Sequence, residues 1–524
     1  MAETETNYRM APPPQPVKRM GTGFRAILQL VFGFLSLVFV YYLALNYHTR
    51  KDLTADGRFT LSERTDNLLA SSPLQERDEP VKIIAAMRKT SPHYPRLQPV
   101  IDEYQRLSKG KVVVEHLDPI RDGNRALEIQ NNYGGILPSK LFEEDIFIID
   151  ARTGSDANSI EPSISVASHL RYLPVSELVV SRDVQVTKTG KKVRQVIGYQ
   201  DEDLITSMIQ SAVEGLPRIM YLVQDKSDLE VTAAGSPLQV ITEALIKQNI
   251  LLRALNISQV DKIPDDAEGL VIVAPEYDFE PKDIQVLEDY WNRPSSSIIT
   301  YLNPASRLVN LNAFLRQNGV TPRDDRIIRT RNGRTESQVL ATFTSGAGLG
   351  VNGSLESKSV AFDGRVGSLE VREGAEDLAL KRIQPYSLIE AAPGFWGETS
   401  YRKANPKYDD DSDYSAPLAI GAAVIRGNAN SDNTAPDISK MVVLSTSDFL
   451  EPRRLGNEQL DFIKNSTDWL LGREELIGIG PRAIQMRKLN LIKEEMGFMS
   501  NVIIFFIPAG FFLLAMFVWN ARRA

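Results

Sequence analysis

Arg218-Ile-Met-Tyr-Leu-Val-Gln224 opens the stretch that decides the fold, which runs on to Val320. It is a short apolar run rich in strand formers. Ser236-Pro237 then starts a helix, with Ser as N-cap and Pro at the first helical position, where its missing N–H leaves no bond unmade. Leu238, Ile241, Leu245 and Ile246 recur on one face of it. Further strands follow at Ile250–Leu255 and Leu270-Val-Ile-Val-Ala274. Pro281 begins a second helix, with Ile284, Leu287 and Trp291 on one face. A fourth strand, Ser297–Leu302, leads through Asn303-Pro304 into a helix carrying Leu308, Leu311 and Leu315, stopped by Gly319. Strands alternating with amphipathic helices predict an α/β unit, a mainly parallel sheet covered on both faces. Such sheets place ligands or catalytic groups at the carboxyl ends of their strands. Here those ends read Gln224-Asp-Lys-Ser-Asp228, Pro275-Glu-Tyr-Asp278 and Asn303-Pro304.

With 524 residues the chain is too long for one core. A formal charge of −7 on that length gives no sign of a nucleic-acid partner. There is no cysteine, which removes disulfides, thiolate metal sites and Cys nucleophiles together. The four histidines, His48, His93, His116 and His169, form no zinc spacing and all precede the central stretch. They read as structural or surface residues.

Both ends carry membrane signals. Phe24–Leu45 gives 22 residues whose only charge is Arg25. At 1.5 Å per residue that is about 33 Å of helix, enough for a hydrocarbon core of roughly 30 Å. It is longer than a signal-peptide core and no A-x-A site follows, so it reads as an uncleaved anchor. Val502–Trp519 is an uncharged run of 18 residues containing Pro508 and closed by Arg522-Arg523. Lys18, Arg19 and Arg25 before the first span bias the N-terminus inward. The expected organisation is a disordered cytoplasmic tail (1–23), a first span (24–45), an N-terminal α/β domain (46–214), the central α/β domain (215–325), a β-rich continuation (326–475), a juxtamembrane segment (476–498) and a second span (499–520).

Within 46–214, Ser62 is the predicted cap of a helix running to about Ala70. Strands are expected at Val81–Met87, Lys111–Leu117 and Asp145–Asp150, with helices at Pro99–Leu107 and Arg125–Asn132 between them. That order is thioredoxin-like, though without a CxxC motif it cannot do thioredoxin chemistry. Strands around Leu178–Val186 and Lys192–Gly198, joined at Thr187–Lys191, precede a helix at Asp201–Glu214. Beyond the centre, Asn332-Gly333, Asn352-Gly353 and Asp363-Gly364 are hairpin signals. Asp409-Asp-Asp411 and Asp413 lack the surroundings of a calcium loop and read as a solvated turn. Strands at Pro417–Ile425 and Met441–Ser445, the latter ending at Ser447-Asp448, precede an amphipathic helix at Leu460–Leu471 close to the membrane.

The Leu53–Thr65 stretch outside the first span, the Val112–Pro119 strand with its Asp-Pro end, Ile263-Pro-Asp-Asp-Ala-Glu-Gly-Leu-Val-Ile-Val-Ala-Pro275 and the closing Phe462–Glu475 module with its final span together resemble the GldG family. These are gliding-motility-type auxiliary components of ABC transporters. The resemblance runs from about residue 24 to the end. It implies that the central Rossmann/flavodoxin-like domain is a periplasmic GIFT domain, on a bacterial inner-membrane protein with cytoplasmic termini. It further implies a permease and a cytoplasmic ATPase as partners. The chain departs from the family pattern after its first central strand, where Gln224-Asp-Lys-Ser replaces a Gly-His-Gly-Glu-like turn. It departs again before the fourth, where Arg293-Pro-Ser-Ser replaces Gly-Gly.

No G-x4-G-K-[ST] loop exists to cradle phosphate, so the chain is not itself a P-loop ATPase. Ala234-Gly235-Ser236 reads as capping rather than as an anion site. No Cys, no G-x-S-x-G and no histidine beyond residue 169 leave a hydrolase without its parts. Asp225, Glu276 and Asp278 are the carboxylates that would pair for acid–base work on a glycan; as loop residues at a sheet edge they read as solvated. The expectation is a non-enzymatic protein with no catalytic, cofactor or metal residues. It would be an auxiliary subunit of a transporter in the lipid bilayer, the alternative being a cell-envelope scaffold or glycan-binding module that needs no ATPase.

Overall fold

The computed structural model describes residues 19–46, 60–133, 143–154, 169–185, 192–230, 236–331, 334–336, 338–362, 365–403, 406–427, 438–453, 455–478, 480, 484–485, 497–498 and 500–521. The chain divides into two compact units, Met1–Arg58 and Phe59–Ala524.

Among the described residues the first unit is the helix Arg19–Asn46, which starts upstream of the apolar run. Residues 1–18 of the expected tail lie outside the described residues. From Ile27 to Leu43 the helix is apolar, and its large side chains are exposed.

The second unit begins with the Glu63–Ala70 helix, where Ser62 is the N-cap and its hydroxyl accepts from Thr65 N. Four strands follow: β1 (Val81–Ala86), β2 (Val112–Leu117), β3 (Ile146–Asp150) and β4 (Leu170–Pro174). They form a sheet in the order β2-β1-β3-β4, with β1 and β2 parallel and the other pairs antiparallel. The helices Tyr94–Leu107 and Gly123–Tyr133 fill the crossovers. Every residue of β3 is buried, as an apolar run with cover on both faces requires. Strands β5 (Val179–Gln185) and β6 (Lys192–Tyr199) pair on either side of 186–191, which lies outside the described residues. The Asp201–Glu214 helix then enters the centre.

Strands β7 (Arg218–Val223), β8 (Ile250–Leu255), β9 (Gly269–Val273) and β10 (Ser297–Tyr301) are all parallel, in the order β8-β7-β9-β10. Alternate residues feed the two faces. Met220, Leu222, Val271, Val273 and Ile299 join the helix Pro237–Ile246, while Tyr221, Val223, Leu270, Ile272 and Ile298 join the helices Pro281–Trp291 and Val309–Gln317. Ser236 caps the first of these helices through Leu238 N at 3.2 Å, and Gly319 leaves the last at φ +84°.

The sheet does not stop at residue 325. After β11 (Val320–Pro322), β12 (Arg326–Arg331) and β13 (Arg334–Glu336) come β14 (Val339–Phe343), β15 (Ser359–Phe362), β16 (Leu369–Val371), β17 (Ile383–Ala391), β18 (Trp396–Glu398), β19 (Ala419–Arg426) and β20 (Ser439–Leu444). β20 lies parallel beside β10, giving the five parallel strands the order 2-1-3-4-5 of doubly wound sheets. β19, β17, β14 and β15 then extend it antiparallel, and β11 and β16 complete an 11-stranded mixed sheet. β12 and β13 pair across Asn332-Gly333, which, like Asp363-Gly364, lies outside the described residues. The hairpin expected at Asn352-Gly353 is a 3-10 turn instead. There the Asn352 amide donates to the carbonyls of Thr344 and Leu388 and so holds a longer connection between β14 and β15. A last strand, β21 (Ile484–Gln485), pairs with β6.

The amphipathic helix expected near the membrane is Asn457–Leu470, and it has no solvent face: Asp461 through Leu470 are all buried. Phe462, Ile463, Trp469 and Leu470 pack on the central sheet. Its polar residues meet charged partners from other elements. Arg64 donates to Asp468 at 2.6 Å, and Asp468 also faces Arg473 at 2.8 Å, an ion pair without hydrogen-bond alignment. Arg473 in turn donates to Glu214 at 2.9 Å and to the Gln248 carbonyl at 3.0 Å. Lys464 donates to Asp203 at 2.8 Å, and Lys247 holds the other oxygen of that carboxylate. A polar pattern read as solvated is therefore the joint between the first sheet and the central one.

Asp203 and its neighbour Glu202 titrate in opposite senses. Burial would raise Asp203, but the charges of Lys464 and Lys247 outweigh it and hold the carboxyl below its ordinary value. For Glu202 burial wins, and its carboxyl is pushed up. A depressed Asp pKa contributes stability above the unfolded value of about 3.8 and loses it as the pH falls through the folded value. Glu202 works the other way, regaining stability on acidification. Asp203→Asn is therefore expected to melt below the wild type at pH 7, with a gap that is constant down to about pH 4 and closes below it. Melting curves of both proteins against pH check this; a gap that widens on acidification would contradict the pairing.

Val502–Asn520 is the one helix among the described residues long and apolar enough to cross a membrane by length and composition. Its first turn, Val502–Phe506, is π-helical and Ile507–Ala521 is α-helical. Pro508 explains the change: it lacks the N–H for a regular i→i−4 bond, and a π turn before it absorbs the mismatch. Its side chains are uncovered, Phe517 being 73% exposed.

Candidate functional site at the carboxyl edge of the sheet

The loops after β7, β9, β10 and β20 crowd one edge of the sheet, and most of their charges are already in use. Asp225 accepts from Ile257 N at 3.0 Å, Ser258 N at 2.9 Å and Ser258 Oγ at 2.6 Å, which pins the turn after β8. Asp278 accepts from Asn310 N at 2.9 Å and Leu311 N at 3.3 Å, capping the Val309–Gln317 helix from a distant loop. Asp283 accepts from Glu280 N at 2.8 Å at the head of its own helix, and the buried Lys226 ammonium sits 2.7 Å away. The Lys226 carbonyl receives Glu276 N at 2.8 Å, tying the loop after β7 to the loop after β9.

Loss of one such cap has a calculable effect. Asp278→Ala is expected to destabilise the protein by about 1–2 kcal/mol through the orphaned N–H groups of that helix. Amide exchange at 310–312 should accelerate more than exchange in β9; uniform acceleration would mean that the carboxylate holds no cap.

One acidic pair is left in the open. Tyr277, 55% exposed, donates to Asp228 at 3.3 Å. Desolvation, then the hydrogen bond and charge of Asp228, push the Glu276 carboxyl above its usual range. The carboxylate beside Glu276 is thus Asp228, whereas Asp225 and Asp278, the other members of the trio read from the sequence, are bound to backbone N–H groups. Behind them Ala274, just after β9, lies at φ +43°, a left-handed conformation that costs an alanine energy. The side chain there is a methyl, without nucleophilic chemistry.

The three described histidines each bond a partner within the fold. His93 Nδ1 bonds the Tyr199 hydroxyl at 3.0 Å, His116 Nε2 bonds Asp102 at 2.7 Å, and His169 Nδ1 bonds the Ala212 carbonyl at 2.8 Å. His48 and Ala234-Gly235 lie outside the described residues. In the acidic turn, Asp409 accepts from Asp411 N and Ser412 Oγ, while Asp413 accepts from Asp409 N and Thr399 N. These carboxylates cap their own loop. Among the described residues no group of three or more His, Asp or Glu is placed to hold a metal.

A cleft of about 370 Å³ opens where β10 and β20 end. Asn303, Ser306, Arg307, Arg323, Asp324 and Ser445 line it. Of these only Asn303 belonged to an edge recognised in the sequence. Ser445 follows the fifth parallel strand, and nothing local announces that β20 lies beside β10 nearly 140 residues upstream. Arg323 enters from the antiparallel part of the sheet. The available signal was Ser445-Thr-Ser-Asp448 at the end of an apolar strand, the same composition as the other strand ends.

A family model described as a domain of unknown function (DUF7088) matches residues 55–147. No curated protein matches the chain. Among solved structures, the mmIFT52 N-terminal domain matches at 13% identity and a TM-score of 0.33, over 48% of this chain and 96% of that one. A ThuA-like protein from Bacteroides uniformis matches at 12% identity and a TM-score of 0.28, over 49% and 92%. The exo-beta-1,4-mannosidase Op5Man5 from an Opitutaceae bacterium matches at 9% identity and a TM-score of 0.25, over 52% and 38%. All three are distant likenesses.

Proposed function

We propose that this chain is a non-catalytic, membrane-anchored subunit of an ABC-type transport system of the gliding-motility kind, a member of the GldG family. In this reading two spans, Phe24–Leu45 and 499–520, fix it in a bacterial inner membrane with both termini cytoplasmic. The region of about 450 residues between them is periplasmic. The uncovered apolar side chains of both helices support an environment of lipid and other spans. The β2-β1-β3-β4 sheet is the thioredoxin-like domain and the 2-1-3-4-5 strands are the Rossmann/flavodoxin-like GIFT domain; their strand orders support both assignments.

The observation that carries the non-catalytic role is the use made of the strand-end carboxylates. Asp225, Asp278 and Asp283 hold backbone N–H groups, and the strained strand end offers only the Ala274 methyl. Groups spent on holding loops are not free to move protons. The partners are a permease and a cytoplasmic ATPase, because the chain has no phosphate loop of its own. Affinity purification of the full-length chain in mild detergent is expected to bring down both at near-stoichiometric amounts. Recovery of the chain alone would overturn the transporter reading in favour of a scaffold or glycan-binding module independent of an ATPase.

A further inference from the structure

We propose that the cleft between the ends of β10 and β20 binds a small ligand through an oxyanion, a carboxylate or a phosphate, held by Arg307, Arg323 and Ser445. This goes beyond the transporter reading and stands whether or not an ATPase is a partner.

The side chains already engaged set the charge of the cleft. Asp324 takes the Tyr401 hydroxyl at 3.3 Å. Ser368 spends its hydroxyl on the buried Asp325 at 2.6 Å, and Asp325 also accepts Ser368 N at 2.7 Å. The Asn303 amide oxygen accepts from Ala305 N at 3.0 Å and shapes its own turn. Arg307 is exposed and makes no ion pair among the described residues. Arg323 is held by its ring contact: its guanidinium stacks on the Tyr414 ring at 4.2 Å, while its backbone N–H donates to the Ser368 carbonyl at 3.0 Å. Two guanidinium groups therefore stand beside two carboxylates, Asp324 and Asp325, both already committed to donors of the fold. The planar fork of arginine suits the oxygens of a carboxylate or phosphate, and a preset arginine loses less freedom on binding.

The second observation is Ser445. Its residue is 4% exposed and lines the cleft, its N–H is used by the Ile420 carbonyl at 2.8 Å, and its hydroxyl, closed to solvent just beneath the cleft surface, has no hydrogen-bond partner. A buried hydroxyl left unpaired destabilises a fold, and alanine would fit the same space without that cost. A water would satisfy the hydroxyl but would bring no counter-charge to Arg307. A ligand oxyanion answers both. The cleft lies at the carboxyl ends of two adjacent parallel strands, where open α/β sheets bind ligands, and its volume is at the small end of such sites.

The test is calorimetric titration of the full-length chain in mild detergent, in a chloride buffer, with inorganic phosphate, succinate and glucose as separate probes. Saturable binding of phosphate or succinate is expected, and none of glucose. Phosphate alone would assign a phosphorylated ligand, and succinate alone a carboxylate. Arg307→Ala, on an exposed side chain, and Ser445→Ala should each weaken binding by about tenfold or more, as loss of a charge-assisted bond does. Ser445→Ala should do so with melting temperature unchanged or raised, which a purely structural serine would not. Absence of binding by both anions, glucose binding of equal strength, or undiminished affinity in the two variants would each overturn the proposal.

Discussion

Asp468→Ala is expected to cost the fold about 3–5 kcal/mol, the penalty for stranding buried charge by removing its partner. Asp468 is completely buried, and among the described residues it is the one carboxylate that pairs with both Arg64 and Arg473. Without it, Arg473 keeps Glu214 and a carbonyl, but Arg64 keeps no carboxylate among the described residues. The Arg64 guanidinium would be left without a carboxylate in an interior that cannot hydrate it, and Arg473 with one carboxylate fewer. The effect should appear as a fall in melting temperature on the order of 5 °C or more, and as early proteolytic release of the region around Glu63–Ala70. The comparison that gives this meaning is Lys262→Ala. Lys262 pairs with Asp265 at 2.9 Å on the open surface, where such pairs contribute about 0–1 kcal/mol. Equal shifts in the two variants would mean that the helix Asn457–Leu470 is not the joint the packing implies.

That helix also marks where the sequence stopped being legible. Its apolar positions, Phe462, Ile463 and Trp469, announce one buried face. Lys464, Asn465 and Asp468 give the pattern of a solvated face whether they meet water or the charges of another element. Periodicity records polarity and not what the polar groups touch. Arg64 and Asp203 lie more than 250 residues upstream, so no local rule pairs them with it. The central strands were legible because each is a short, uninterrupted apolar run between turn signals, and Ser236 and Gly319 punctuate them by local chemistry. The join of β20 to β10 was not, because strand order is decided by packing across the sheet. The strand-end carboxylates fell between. That Asp278 caps a helix 32 residues later was not readable from the residues around it.

The other large effect is expected at Phe449, which no pattern singled out. It sits in the Ser447–Leu450 turn just after Ser445, in a turn whose Thr446 hydroxyl accepts from Asp448 N at 3.1 Å. Its ring lies 5.2 Å from that of Phe462, 5.7 Å from Phe362 and 6.5 Å from Tyr301. One side chain thus joins the buried helix, the antiparallel edge strand β15 and the parallel strand β10. These rings interlock at the separations aromatic pairs prefer, and no small residue beside them can fill the space of a lost phenyl. Phe449→Ala should therefore cost about 3–5 kcal/mol, transfer and cavity together, and Phe449→Leu clearly less. Tyr301→Phe is the matched control: the Tyr301 hydroxyl is buried and has no hydrogen-bond partner, so its removal should leave stability unchanged or raised. Because the turn carries the floor of the cleft, amide exchange at 445–450 in Phe449→Ala should accelerate beyond that of β7. A Phe449→Ala protein as stable as the wild type would place the ring outside the core and detach the cleft from the sheet that positions it.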